Sequence, residues 1–288
     1  LLILAGYIAM SIGDRPGLVV GFVGGAIAKA GTTFTSLSNP EEVLVSSGFL
    51  GALLAGFIGG YVVLFLKKLF SFMPKSLEGI RTILIYPVAG VLLIGLIMLL
   101  INPFVSAINT GLNNFLSSMS EVNKVILGAI LAGMMSVDLG GPVNKAAYTF
   151  GTGMLAEGHY EIMAAVMIGG MVAPLAIALL ATFFPKKLPK KERQAGLLNY
   201  VMGLSFISEG AIPFASADPI RVLPSCIVGS AVSGALSMAF NCTLMAPHGG
   251  IFVLPLIGNW FWYVVALAIG SVIAMGIMAA LKKNVWEK

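Results

Sequence analysis

The acidic residue Glu209 lies within an apolar stretch of the sequence that is broken by prolines. Glu209 stands in Gly203–Arg221 (GLSFISEGAIPFASADPIR), and both Pro213 and Pro219 follow it closely. Each proline removes a backbone donor and opposes helix continuation. Inside a bilayer, a broken segment is tolerated only where it is covered by protein or lines a cavity. We therefore interpret this stretch as a substrate site.

Glu209 is the candidate catalytic carboxylate of this stretch. It would accept a hydrogen bond, or act as a general base, for a hydroxyl of a polar substrate. The alternative is a structural carboxylate that is tied to backbone amides at the helix break. Its neighbours Ser208 and Gly210 belong to the predicted substrate-binding set.

Two further charged residues follow Glu209 before the next apolar run. Asp218 precedes Pro219, which is the pattern of a helix N-cap with proline at the first helical position, although ligand contact is an alternative. Arg221 would pair with Asp218 or Glu209, or bind a phosphate bidentately, or extend its side chain to the membrane surface. We include Arg221 in the predicted substrate-binding set.

Two other stretches carry polar residues among small and apolar ones. In 136–153 (SVDLGGPVNKAAYTFGTG), Asp138 and Lys145 either form a salt bridge or, with Asn144, make a polar wall of the substrate site. In 246–250 (APHGG), His248 is a second candidate catalytic group as a proton acceptor, or simply a turn residue.

The composition is that of a membrane protein. The 288 residues are 58% hydrophobic and only 10% charged, whereas a soluble domain carries about 25% charged residues. The net charge of +5 comes from short basic clusters between apolar runs, which indicates membrane orientation rather than nucleic-acid binding. Cys226 and Cys242 have no metal-ligand spacing, so we predict neither a metal site nor a cofactor.

The apolar runs predict an all-α polytopic protein with about eight membrane segments. Clear spans cover about 43–66, 82–101 and 161–185, and 102–123 is expected to form an interfacial amphipathic helix. The aromatic residues at 260–263 are expected to anchor the last helix at the membrane interface.

A count of crossings predicts a re-entrant hairpin. Basic residues at 186–193 and 282–283 mark two cytoplasmic positions, yet three apolar segments, about 197–212, 220–240 and 259–281, lie between them. An even number of crossings requires one segment not to cross. The segment that holds Glu209 is the best candidate.

The three polar stretches strongly resemble one family. Residues 136–151, 203–225 and 246–255, together with DRPG at 14–17, are similar to the fructose-type membrane component, enzyme IIC, of bacterial phosphoenolpyruvate-dependent sugar phosphotransferase systems. The resemblance extends over essentially the whole chain.

This resemblance implies a homodimeric, group-translocating permease of the bacterial inner (cytoplasmic) membrane. Such a protein would take up fructose and release fructose 1-phosphate after a phosphorylated IIB partner has reacted. Residues 1–120 would form a scaffold, expected to be truncated at its start, and 121–288 an elevator-type transport domain with re-entrant hairpins. Phe206–Glu209 occupies the place of a Gly-Ile-Thr-Glu motif in the related glucose-type superfamily, which implies that Glu209 holds the sugar.

Alternative functions remain open at this point. An ion-coupled secondary transporter would use Asp138 and Glu209 to carry protons or sodium, and a channel would transport without saturation. Within the family, another sugar such as mannosylglycerate is an alternative substrate. The sequence shows no IIA or IIB domain, so the phosphoryl group would come from a separate protein or a fused domain.

Overall fold

The computed structural model describes residues 1–39, 44–118 and 121–284, and these residues are mainly helical. The α-helices are α1 Leu2–Gly13, α2 Arg15–Ala30, α3 Phe34–Ser38, α4 Gly48–Leu69, α5 Glu78–Ile80, α6 Tyr86–Ser117, α7 Glu121–Met135, α8 Pro142–Glu157, α9 Tyr160–Phe183, α10 Lys190–Leu204, α11 Ile212–Ala217, α12 Pro219–Ala239 and α13 Trp260–Leu281. Two short strands, β1 Thr243–Leu244 and β2 Ile257–Gly258, pair antiparallel. The chain forms two compact units, Leu1–Ser118 and Met119–Lys288.

Among the described residues, five helical segments are long and apolar enough to cross a membrane. They are Gly48–Phe72, Glu78–Leu116, Tyr160–Phe183, Pro219–Ala239 and Trp260–Leu281, and Leu2–Gly13 and Val122–Met135 are shorter apolar helices. The described residues therefore support an all-α, polytopic membrane protein. The expected eight membrane segments do not appear as eight helices of spanning length, since α1, α2 and α7 have only 12, 16 and 15 residues.

Small residues let the helices of the first unit approach each other closely. Gly21 of α2 lies directly over the Ala5 carbonyl of α1, where a Cβ atom would collide with that backbone. Such close approach of small residues is a common device for packing helices in a bilayer. Buried residues of α1, α2, α4 and α6, including Ala5, Ala55 and Ile94, form one core.

The expected interfacial helix over 102–123 is not formed, because α6 continues without a break through Pro103 to Ser117. Asn102 and Asn109 are buried in the protein, whereas Asn114 is exposed. Asn102, 1% exposed, donates to the carbonyls of Ile27 and Thr32 at 3.0 and 2.8 Å, and its Oδ1 accepts from Ser47 Oγ at 2.7 Å. This polar contact ties the end of α2 and the start of α4 to α6.

Helix α9 is the centre of the second unit, where it packs against α7, α8, α10, α12 and α13. In the most apolar 18-residue stretch of α9, 94% of the residues are buried. Gly169 lies against Ala132 of α7, and the Gly169 carbonyl accepts from Ser230 Oγ of α12 at 2.8 Å. Ser136 Oγ is 2.7 Å from the same Ser230 hydroxyl, so a buried polar link joins three helices.

The segment that holds Glu209 is not one spanning helix. Helix α10 ends at Leu204, a 3₁₀ turn follows over Ser208–Ala211, and the short α11 leads to Asp218 at the start of α12. This break was expected from Pro213 and the crossing count.

Of the aromatic residues at the start of α13, some are exposed as expected of an interface anchor and one is buried. Trp260 and Trp262 are 54% and 48% exposed, as an interfacial role requires. Tyr263 differs from the expectation, because it is 1% exposed and its hydroxyl lies 3.6 Å from the Met171 sulfur of α9. It is a core residue.

Candidate functional site

A cavity of about 190 Å³ in the second unit brings the three polar stretches together. Its lining comes from α7, α8, the break after α10 and the turn before β2. The lining residues are Met135, Gly140, Asn144, Lys145, Tyr148, Phe206, Ile207, Ser208, Glu209 and His248.

The first wall is the turn between α7 and α8, which Asp138 fixes. Its two carboxylate oxygens accept from the backbone N–H groups of Val143 and Asn144 at 2.7 and 2.9 Å. These N–H groups are in the first turn of α8, where no helical carbonyl is available to them. Asp138 is therefore the side-chain cap of α8.

One face of α8 then points polar groups at the cavity. Asn144 is buried and donates from Nδ2 to the Met135 carbonyl at 2.7 Å, so its amide is held in place. Lys145 follows it, and Tyr148 lies one helical turn further on the same side.

The second wall is the break between α10 and α11. Phe206 takes a left-handed backbone with φ 62°, and the Ile207 N–H bonds back to the Met202 carbonyl at 2.8 Å. The chain thereby turns sharply and presents Ser208 and Glu209 to the cavity.

The two walls meet at Gly140 and Glu209. A Cβ atom on Gly140 would lie 2.9 Å from Glu209 Oε1, and the φ of Gly140 is 111°. Both the spacing and the backbone conformation favour glycine here.

The third wall is the turn that holds His248, which folds back into the second unit. The rings of Phe206 and His248 have centroids 5.0 Å apart, and those of Phe206 and Tyr148 are 6.2 Å apart. The N–H of Gly250 points at the Met167 sulfur of α9 at 3.1 Å. Residues 246–250 thus lie within the second unit, beside α9 and the break after α10.

Three ionisable side chains at the cavity form no polar contact with the part of the chain that the structure describes. Among the residues that the structure describes, neither Lys145, Glu209 nor His248 makes a side-chain hydrogen bond or an ion pair. All three side chains are solvent-accessible. The cavity therefore offers a cation, a carboxylate and an imidazole to a ligand.

Five of the residues predicted from the sequence line this cavity, and three do not. Asn144, Lys145, Ser208, Glu209 and His248 line it. Asp138 caps α8, and no salt bridge joins it to Lys145 in the described part of the chain. Gly210 is buried against Asn199 and Met202.

Arg221 lies at a different cavity, at the start of α12. Its Nη1 is 3.1 Å from Asp218 Oδ2, and Lys282 Nζ is 3.0 Å from the same oxygen. Burial raises the pKa of Asp218, but the hydrogen bonds from Lys282 and Arg221 outweigh it and hold this pKa below its ordinary value. Asp218 occupies the N-cap position with Pro219 after it, yet its carboxylate serves these ion pairs and makes no cap hydrogen bond.

Tyr148 and Phe206 are lining residues that the sequence prediction did not include as ligands. Tyr148 stands four residues after Asn144, so helical spacing could have placed it on the same face. Phe206 carried no such signal, because its position depends on an unusual backbone conformation.

Comparison with known proteins identifies the family of this chain. Residues 1–229 match the family model described as Phosphotransferase system, EIIC. The chain is 48% identical over 287 residues to the fructose permease IIC component of Bacillus amyloliquefaciens. This match covers 99% of this chain and 90% of that protein. No solved structure matches it.

Two further relatives are longer proteins. The PTS system fructose-specific EIIABC component of Bacillus subtilis (strain 168) is 47% identical over 99% of this chain and 43% of its own length. The PTS system fructose-specific EIIB'BC component of Escherichia coli (strain K12) is 46% identical over 98% of this chain and 48% of its own length. This chain thus spans less than half of these two relatives. With the family match, the three polar stretches and their common cavity, the chain belongs to the EIIC family of the phosphotransferase system.

Proposed function

We propose that this chain is a fructose permease of the phosphotransferase system, which takes up fructose and passes it on as fructose 1-phosphate with a phosphorylated IIB partner. The cavity with three unpartnered ionisable groups carries this proposal. Two relatives, of whose lengths this chain covers 90% and 76%, bear the names fructose permease IIC component and PTS system fructose-specific EIIC component.

The side chains at the cavity suit a sugar. The carboxylate of Glu209 accepts hydrogen bonds from hydroxyl groups, and Ser208 and Asn144 add further polar contacts. The rings of Phe206 and Tyr148 offer apolar faces against which the C–H groups of a sugar would pack.

The same groups suit phosphoryl transfer to a hydroxyl. Glu209 or His248 would accept the hydroxyl proton as the oxygen attacks the phosphorus atom. Lys145 would stabilise the negative charge of the incoming phosphoryl group. The phosphoryl donor would be the IIB protein or domain: its bond to the phosphorus atom would break as the sugar oxygen bonds to phosphorus, and the donor group of IIB would leave with the electron pair.

We further propose the molecular organisation that accompanies this activity. Residues 1–120 would be the scaffold of a homodimer in the bacterial inner membrane, and 121–288 the transport domain that moves in elevator fashion. The segment from α10 to α11 would be a re-entrant hairpin that carries Glu209. The compact unit Met119–Lys288 contains the whole cavity lining, which supports the assignment of transport to this part.

The ion-coupled alternative has less support. Of the two carboxylates it needs, Asp138 is engaged by two backbone N–H groups and does not line the cavity. Glu209 alone remains available for a coupling ion.

Binding of radiolabelled fructose to the purified protein in detergent tests the proposal. We expect saturable binding by the parent protein and at least a tenfold loss in Glu209→Gln, because the amide is a weaker acceptor for hydroxyls than a carboxylate. Glu78→Gln removes an exposed carboxylate of the first unit and should bind normally.

Size-exclusion chromatography must show that both variants remain folded. Normal binding by folded Glu209→Gln would contradict the site assignment. Competition by unlabelled mannosylglycerate that is stronger than competition by unlabelled fructose would contradict the substrate.

A further inference from the structure

A second polar cavity, of about 340 Å³, lies where the second unit presents its basic residues. It is formed by the turn after α9, the start of α12 and the end of α13. Its charged lining residues are Lys187, Glu192, Asp218, Arg221, Lys282 and Lys283. We refer to it as the basic cavity.

Positive charge is in excess in the basic cavity. Arg221 and Lys282 share one carboxylate, that of Asp218, so this cluster keeps one positive charge. Lys187 Nζ donates only to a neutral group, the Lys282 carbonyl, at 2.6 Å. Lys283 has no ion-pair partner among the residues that the structure describes. A concave site of this kind attracts an anion.

The surroundings of the basic cavity are apolar and exposed. A neighbouring cavity of about 240 Å³ shares Lys187 and is lined by Phe183 and Phe184, which are 66% and 41% exposed. Ile220, beside Arg221, is 83% exposed. Exposed apolar side chains at the ends of membrane helices face lipid, and the basic residues beside them mark the cytoplasmic side.

We propose that the basic cavity binds the phosphate headgroup of an anionic phospholipid from the cytoplasmic leaflet, with its acyl chains along Phe183, Phe184 and Ile220. Basic pockets between membrane helices on the cytoplasmic side are known to hold such headgroups. The site is concave and small, whereas a protein partner covers about 800 Å² of surface. This site is separate from the Glu209 cavity, and the proposal does not depend on the transported sugar.

Native mass spectrometry of the purified full chain tests the proposal, with phosphatidylglycerol as the probe and phosphatidylcholine of the same acyl chains as the reference lipid. The test variant is Lys187→Gln combined with Lys283→Gln. The control combines Lys29→Gln with Lys68→Gln, which removes the same charge from exposed positions of the first unit. Lys283→Gln alone is measured as well, because this exposed side chain makes no hydrogen bond or ion pair with the described residues.

We expect phosphatidylglycerol to bind to the parent protein at least about tenfold more tightly than phosphatidylcholine. The affinity of the double variant for phosphatidylglycerol should fall at least about tenfold. The affinity of Lys283→Gln alone for phosphatidylglycerol should fall about fivefold, and the control variant should bind this lipid as tightly as the parent protein does.

Three results would overturn the proposal. Equal affinity for the two lipids would show that charge is not recognised. Displacement of the lipid by an equal concentration of the water-soluble headgroup, glycerophosphoglycerol, would assign the site to a soluble phosphate compound. Unchanged lipid binding in the double variant, together with weaker binding of a phosphorylated IIB protein, would assign the cavity to that partner.

Discussion

Two residues beside the Glu209 cavity, of which Phe206 lines it, hold backbone conformations that their side chains disfavour. Leu139 has φ 48° and Phe206 has φ 62°, and both side chains are buried. Such conformations cost of order 1–3 kcal/mol each and persist only when the surrounding packing enforces them. The backbone conformation of Phe206 is held by packing against α9. The Phe206 ring lies so close to Gly170 that a Cβ atom at position 170 would collide with it.

This packing makes Phe206 a rigid aromatic surface for a ligand. We predict that Phe206→Leu weakens fructose binding about three- to tenfold, because an aromatic face contributes about 0.5–1.5 kcal/mol beyond its buried area. Equilibrium binding in detergent measures the change. Phe252→Leu, at a 74% exposed phenylalanine of the adjoining turn, is the matched control and should bind normally. Equal affinities of the two folded variants would refute a ligand role for the ring.

Sequence reasoning found the residues at the cavity better than it found their roles. Glu209 and Lys145 were identified because a charged group among apolar residues of a membrane protein is energetically unfavourable, and His248 because an imidazole can accept a proton. Asp138 is also a charged residue among apolar ones, but its carboxylate accepts hydrogen bonds from two backbone N–H groups of α8. Charge alone does not separate a ligand-binding group from a helix cap, since both are acidic residues at a glycine- and proline-rich turn.

At the scale of elements, the start of α8 decides where Asn144 and Lys145 lie. Pro142 is at the beginning of this helix, and Asp138 satisfies two of its free N–H groups. A capping carboxylate also interacts favourably with the positive end of the helix dipole.

We predict that Asp138→Ala lowers the free energy of unfolding by about 1–2 kcal/mol, the usual effect of removing a cap. Fructose binding should weaken as well, because Asn144 and Lys145 lose their fixed position. Thermal unfolding in detergent and fructose titration measure the two effects. Asp14→Asn, which removes the charge of a surface ion pair with Lys67 and keeps a residue type that tolerates the positive φ of 58° at this position, serves as the control and should change both quantities little. Unchanged stability in Asp138→Ala would rule out the capping role.

The breaks between elements were more predictable than their continuity. Pro213, Pro219 and the glycines indicated the interruption near Glu209, and the chain is interrupted there. The asparagines after residue 101 suggested an interfacial helix, yet α6 runs on to Ser117. A polar residue in a membrane helix is satisfied as well by a neighbouring carbonyl as by the membrane surface, and the sequence does not distinguish the two.

At the scale of the whole molecule, the energy source of transport separates the proposed function from ion coupling. We predict that vesicles containing this protein accumulate fructose 1-phosphate when a phosphorylated fructose-type IIB protein is supplied on the cytoplasmic side. Ionophores that collapse proton and sodium gradients should leave the rate unchanged, because phosphoryl transfer supplies the free energy. Radiolabelled uptake followed by separation of the phosphosugar measures this.

The control for this experiment is IIB protein that has not been phosphorylated, which should support no accumulation. Accumulation of free fructose that depends on an ion gradient would instead establish a secondary transporter.

Composition was sufficient to predict the membrane class, but not the number of crossings. Helices α1, α2 and α7 have 12, 16 and 15 residues, so the length criterion for a spanning helix does not decide their position. Hydropathy also does not predict whether a helix is surrounded by other helices or by lipid. The segments Gly48–Phe72 and Tyr160–Phe183 have the same mean hydropathy, 2.3, but 56% and 94% of their apolar windows are buried.

The enclosure of α9 by its neighbours has a chemical consequence. A photoreactive lipid analogue dissolved in the bilayer should modify Glu78–Leu116, of whose apolar window only 22% is buried, and leave Tyr160–Phe183 almost unmodified. Peptide mapping by mass spectrometry would show the contrast, and strong modification of Tyr160–Phe183 would contradict it. The central apolar helix of the second unit would then be one that membrane lipid scarcely touches.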